Sequence, residues 1–429
     1  MSAIAPEPGE TVEAPDRGPW APLRQASFRR FWIGGALSMT CYWMIEAALA
    51  WQMRLLSNAD PLQVAMVTAT MQLTVMVAVM PAGVLADLVD RRSLLVVSHA
   101  WLLLVVGLVV ALTFTGQLTP GLLLLLAAAV ALTQAARMPV IGSLVADIVD
   151  RPSLGAAVAL NALSQNGARI VGPALAGILL GAGGVTAALA VAGVGLFVAG
   201  GVLATIRPDR HRPGARLNLS QFVDDARAQR RLLAERGPHR TLLLRFGGFL
   251  ACASAVPALL PVVFQSGRTY GLMLALYGVG AVTGLLALGR PRSDGAIQGR
   301  ATLAQGAHAA GLLLLAAGVT LGGTLGITVA AVALLCCGAA WLALSNAFMT
   351  AAQLYLPGEA RGRGLSTVYA VGMGSMAAGG PAWGWLARHH GTATAFVAAS
   401  VLSLLVLAAL HRRSFGGAAA GRARDNIGP

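Results

Sequence analysis

The sequence predicts an all-α polytopic membrane protein with twelve transmembrane helices arranged as two halves of six. Three observations predict it. First, 56% of the 429 residues are hydrophobic and only 11% charged, with a mean hydropathy of +0.71. A soluble domain carries about 25% charged residues, so lipid must serve as much of this chain's solvent. Second, runs of about 20 apolar residues, enough to cross hydrocarbon at about 1.5 Å per residue, recur twelve times. Third, one long polar connector, residues 207–240, divides those runs equally.

Taken in order, residues 1–27 are acidic and Pro-rich with no apolar core before Trp20. They read as a disordered cytosolic tail rather than a signal peptide. The first half, 28–206, holds spans at 31–54, 62–85, 93–115, 120–145, 156–181 and 185–206. The connector follows; within it, 219–233 places apolar residues near helical spacing, as in a helix lying on the inner leaflet or a solvated tether. The second half, 241–411, holds spans at 242–264, 270–289, 301–319, 324–349, 365–386 and 392–410. A basic tail, 412–429, ends the chain.

All 31 basic residues are arginine, and their placement orients the chain. With the N-terminus inside, 25 of them fall in the tails and inner loops. Only Arg54, Arg268 and Arg388 fall outside, and Arg137, Arg169 and Arg245 lie within spans. Both termini are therefore expected in the cytosol. The net charge of +14 belongs to the inner membrane face and not to a nucleic-acid surface. Cys41, Cys252, Cys336 and Cys337 sit in apolar runs without metal-ligand spacing and read as small buried hydrophobes. No metal or cofactor is expected.

The halves echo each other. GPALAG at 172–177 returns as GPAWGW at 380–385, and His99 and His308 are 209 residues apart. With equal span counts, this indicates an internal duplication, a common build of transporters.

Between the second and third spans stands PAGVLADLVDRRS, residues 81–93, with four charges in six residues. Gly83, Leu85, Ala86, Asp87, Arg91 and Arg92 fit the signature G-x-L-A-D-x-x-G-R-R, with Asp90 replacing the second glycine. On this motif, the topology and the duplication, residues 28–413 resemble a major facilitator superfamily transporter. The bacterial drug, macrolide and siderophore exporters look closest. The resemblance implies that Asp87 meets the start of the eleventh helix near residues 364–366, where a helix dipole favours an anion. Arg91 and Arg92 would then pair with Asp147 and Asp150 to latch the inner gate. Gly167, Gly172, Pro173 and Gly177 partly match the exporters' antiporter motif, with Ala176 in place of one glycine. Small residues and a proline there permit close packing and a bend.

Ionisable residues within spans are costly and normally face the bundle interior. Glu46 is the only acid deep in a span, and it and Arg169 lie about 20 Å along their helices from the inner side. A pair between them would relieve both desolvation costs. Asn161, Gln165 and Arg169 recur every fourth residue and form one polar stripe suited to a water-filled cavity. Arg137 and Arg245, near inner ends, are explained by snorkelling. His99 and His308 suit either a proton relay or hydrogen-bonded packing. Trp43, Met44, Met66, Met71 and Met76 suit either an apolar drug pocket or core packing.

The expected function is therefore proton-coupled export of a bulky amphipathic small molecule, with the single chain enclosing its own pathway and protons as coupling ion. An importer or uniporter of the same fold is the alternative. A membrane enzyme would need clustered His, Asp or Glu in loops, which the short outer loops lack.

Overall fold

The computed structural model describes residues 18–206, 238–288, 294–355 and 361–411, and among these every regular element is a helix. Both tails beyond those limits and connector residues 207–237, with the 219–233 stretch, lie outside the described residues; 238–240 open α6. The helices are α1 Ala26–Leu56, α2 Pro61–Leu88, α3 Arg91–Phe114, α4 Pro120–Ile148, α5 Leu154–Ala204, α6 Pro238–Ala253, α7 Ala255–Val263, α8 Gly267–Leu288, α9 Asp294–Leu321, α10 Gly323–Tyr355, α11 Arg361–His390 and α12 Thr392–Leu410. The twelve spans map onto them with two adjustments. Helix α5 carries spans five and six, broken where Gly184 takes φ 72°, a conformation open to glycine. Span seven is split at Ser254 into α6 and α7.

Local chemistry sets several helix starts. The Asp60 carboxylate accepts the backbone N–H of Leu62, with Pro61 at the first helical position of α2. Asp90 accepts from the N–H and the hydroxyl of Ser93 at the start of α3. The aspartate that replaces the motif's second glycine is thus an N-cap. Thr119 with Pro120 begins α4 in the same way.

Among the described residues nine helical stretches are long and apolar enough to cross a membrane, one of them the double span of 54 residues. Helices α8 and α11 are not among them. Both are packed across the boundary between the halves and line the central cavity, so protein rather than lipid covers much of their surface.

The duplication is visible in packing. In the first half α1 runs against α5, α2 against α4, and α3 against the second arm of α5. The second half repeats this with α6 against α11, α8 against α10, and α9 against α12. Glycines make close approaches in both halves: Gly172 sits on Thr40 and Trp43 of α1, and Gly379, just before the echoed segment, sits on Ala251 of α6. The halves are joined to each other by α2 on α11 and α5 on α8.

The core changes with depth. Toward the outer end one large cluster unites both halves, from Leu49 and Leu126 to Leu259, Leu334 and Phe396. Toward the inner end it divides into two separate clusters. Phe28, Leu94, Leu144 and Leu160 belong to the first half; Leu242, Phe246, Ile297 and Phe348 belong to the second.

Three expectations about buried groups are corrected. Arg137 and Arg245 do not snorkel; they are 2% and 0% exposed. Arg245 is held by Gln305 through Nε at 3.1 Å and by Thr302 through Nη2 at 2.8 Å. Arg137 lies beside Cys41 and Tyr42, and its Nε and Nη1 have no hydrogen-bond partner. Cys336 is exposed on α10, whereas the other three cysteines are buried.

Candidate functional site: a cavity between the halves

A cavity of about 370 Å³ lies at mid-depth between the halves. Its first-half wall comes from α1, α2, α4 and α5, and its second-half wall from α6, α7, α8, α10 and α11. The lining is rich in aromatic rings and in five methionines: Met71, Met138, Met349, Met373 and Met376. Thioether side chains adapt to varied apolar shapes. Of the methionines and the tryptophan singled out in the sequence, Trp43 and Met71 line it; Met44 is buried in the core, and Met66 and Met76 lie elsewhere.

Glu46 and Arg169 are the charged residues of this lining. They act on each other through space, yet among the described residues they form no ion pair within 4 Å, so the expected direct pair is absent. Arg169 is held by rings instead. Its guanidinium carbon lies 4.9 Å from the ring centre of Trp43 and 5.3 Å from that of Trp341, one tryptophan from each half. Such contacts contribute about 0.5–1 kcal/mol when exposed and about 2 when desolvated.

The expected polar stripe is also corrected. Asn161 and Gln165 are half-buried but do not line the cavity; the face of α5 that does carries Asn166, Arg169, Ile170 and Pro173. Those positions follow the three- and four-residue spacing of one helix face. Steps of four drift by about 40° each, which turns Asn161 about 80° away from Arg169. The rotation of α5 is fixed by its glycines. Gly172 faces α1, and Gly177 meets Gly271 of α8 so closely that a Cβ on either would strike the other's backbone. Gly167 faces open space, so among the motif residues Gly172 and Gly177 make the close approaches, with Pro173 buried between them.

Outside the cavity the halves are sealed at the outer end. On one flank a Cβ at Gly181 would come within 2.8 Å of Arg268, and one at Gly267 within 2.9 Å of Leu180. On the other, a Cβ at Gly384 would stand 2.8 Å from both Ala65 and the Pro61 carbonyl. Arg388 pairs there with Asp60 at 3.5 Å. Between the flanks Trp51 stacks on Tyr270 at 5.3 Å, and the Arg54 guanidinium covers Trp51 at 4.7 Å. The three arginines placed outside by the charge count thus all stand at this seal.

The expected inner latch is only partly in view. The side chains of Asp87 and Arg91, and residues 356–360 before α11, lie outside the described residues. Arg92 is exposed and Asp147 half-buried. Asp150 accepts from the Gln25 amide at 2.6 Å. Gly83 has open space around it.

Of the two histidines, His99 is a packing group. Its Nδ1 is 2.7 Å from the Leu95 carbonyl, which makes it the donor, and its Nε2 accepts from Ser38 at 2.8 Å. His308 packs edge-on against Phe249 at 5.1 Å, and neither ring nitrogen has a hydrogen-bond partner.

Two six-helix repeats enclosing one cavity at their shared boundary, sealed at one end by interlocked glycines, form the architecture of a secondary transporter. The chain belongs to the transmembrane secretion effector family of major facilitator proteins, whose sequence pattern matches residues 17–423. A search of curated proteins gave no match. Among solved structures, the nucleoside transporter NupG is similar with a TM-score of 0.71 at 11% identity, covering 90% of this chain and 98% of that one. A bacterial homologue of the human lysosomal transporter Spinster, inward-facing and occupied, gives 0.70 at 13% identity, covering 92% and 97%. A bacterial homologue of the iron transporter ferroportin, inward-facing, gives 0.64 at 14% identity, covering 89% and 99%. At these identities the likeness is one of fold.

Proposed function

We propose that the protein exports a bulky amphipathic organic compound from a bacterial cell, as a proton-coupled antiporter working by alternating access in the cytoplasmic membrane. The observation that carries this reading is the cavity: walls of aromatic rings and methionine, with Glu46 as the lining acid and Arg169 as the lining base. Apolar walls suit a lipophilic solute better than a sugar, and a carboxyl in such a setting is a natural proton carrier. The family's description as secretion effectors supports the outward direction. In this reading Asp87, Arg91, Arg92 and Asp147 close the inner end when the outer seal opens. One chain encloses the whole pathway, so a monomer suffices.

The energetics allow it. One charge crossing the field gains about 2.3 kcal/mol per 100 mV, against about 1.4 kcal/mol for each tenfold of concentration. A single coupled proton therefore sustains appreciable accumulation.

The test is uptake into everted vesicles under an imposed pH gradient, with a panel of lipophilic antibiotics and siderophores. Gradient-driven uptake of a panel member is expected. Glu46→Gln should retain binding and downhill exchange but lose uphill accumulation, and Glu46→Asp should keep part of it. Uphill transport by Glu46→Gln at the normal rate would show that Glu46 does not carry the proton.

A further inference from the structure

Arg169 is posed in an unusual way for a charge inside a membrane protein. Its guanidinium lies against two indole rings, Trp43 and Trp341, which engage its surface as a cation and restrict its orientation. Among the described residues no side chain or carbonyl accepts a hydrogen bond from its N–H groups, and none pairs with it. It is nevertheless exposed, and the space it is exposed to is the cavity. A guanidinium fixed by rings and left with an open fork of donors matches a planar carboxylate in bidentate geometry.

Two further observations lie in the same wall. The Trp43 Nε1 is buried without a hydrogen-bond partner, and so is the Gln134 Oε1. Buried polar groups are normally satisfied, and both belong to residues that line this cavity. Both atoms are covered, so neither is presented to a ligand in this conformation, whereas the Arg169 guanidinium is. Glu46 and Arg169 are the charged residues of the lining, so the guanidinium is the lining group that attracts an anion. The rest of a ligand would rest on the methionines of both halves.

We propose that Arg169 is the anchor for the cargo, and that the cargo is a lipophilic organic monocarboxylate. Its carboxylate docks on the guanidinium fork beside Trp43, and its apolar body lies between Met71 and Met138 on one side and Met373 and Met376 on the other. This rests on the transporter reading of the cavity, but not on export or on proton coupling.

The test is binding without any gradient. Full-length protein in lipid nanodiscs is titrated with pyrenebutyrate and with its neutral primary amide, following energy transfer from tryptophan to pyrene. Wild type should bind the carboxylate about tenfold to a hundredfold more tightly than the amide, the range of charge-assisted hydrogen bonds. Arg169→Gln should bring the carboxylate down to the level of the amide. Arg169→Lys, which keeps the charge but not the fork, should lose most of the preference, and it decides the matter if the glutamine variant does not fold. Equal binding of the two probes by wild type, no binding of the carboxylate, or an unchanged preference in the Arg169 variants overturns the proposal. Because no gradient is used, this result stands apart from the vesicle assay: proton coupling can fail there while the carboxylate preference holds, and the reverse.

Discussion

The outer seal and the inner level of the molecule use the same pairs of helices and opposite chemistry. At the seal, α5 meets α8 through Gly177 and Gly271, and α2 meets α11 through Pro61 and Gly384, so backbones interlock and one core spans both halves. One level further in, the same pairs diverge around a cavity walled by rings and methionines, and the core divides in two. Small residues let backbones approach with little side-chain entropy to lose, and such a joint has a defined closed geometry. Large flexible side chains adapt to a guest. The difference teaches that this fold separates the hinge of its closure from the surface that recognises cargo, along the length of single helices.

The largest effect should come from wedging the seal. Gly177→Val places a branched side chain where even a Cβ would strike the Gly271 backbone. Overpacking of this kind costs about 1–3 kcal/mol, so the closed outer end should lose about fivefold to more than a hundredfold in population. Labelling of an introduced Leu274→Cys from outside with an impermeant maleimide should accelerate by a similar factor, with cargo export falling in step. Unchanged labelling would mean that the seal does not govern outside access.

A smaller effect should come from the boundary between seal and cavity. Trp341→Ala removes the second-half ring from Arg169 and leaves Trp43 in place. With about 0.5–2 kcal/mol in a cation–π contact, the KM for cargo should rise about twofold to thirtyfold. Labelling of the Leu274→Cys probe should stay near the wild-type rate. Faster labelling with an unchanged KM would assign Trp341 to the seal instead.

The smallest effect belongs to the ion pair at the rim. The Arg388 side chain is 52% exposed and that of Asp60 14%, a setting in which a pair contributes about 0.2–1 kcal/mol. Asp60→Asn keeps the N-cap of α2, since asparagine caps about as well. Labelling of the probe should quicken no more than about fivefold, and the difference should vanish in high salt. A salt-independent change would point to the cap and not the pair.

Much of the architecture was legible in the chain. Twelve apolar runs, the arginine bias and the repeated glycine segments determined the spans, the orientation and the duplication, because lipid admits few backbones and charge asymmetry is linear in sequence. Glu46 and Arg169 were legible as cavity residues for a related reason: a charge in hydrocarbon needs an interior to face. The azimuth of each helix was not legible. Asn161, Gln165 and Arg169 form a polar stripe in sequence, yet the glycine contacts of α5 with α1 and α8 turn Asn166 inward and leave Asn161 and Gln165 off the cavity. Nor could the sequence say that Arg169 would be held by Trp43 and Trp341, which come from different halves, or that Arg245 would find Gln305 and Thr302 while the Nε and Nη1 of Arg137 find no partner. Composition and period act along one helix, and these choices depend on how neighbouring helices rotate and cross, which only their packed surfaces decide.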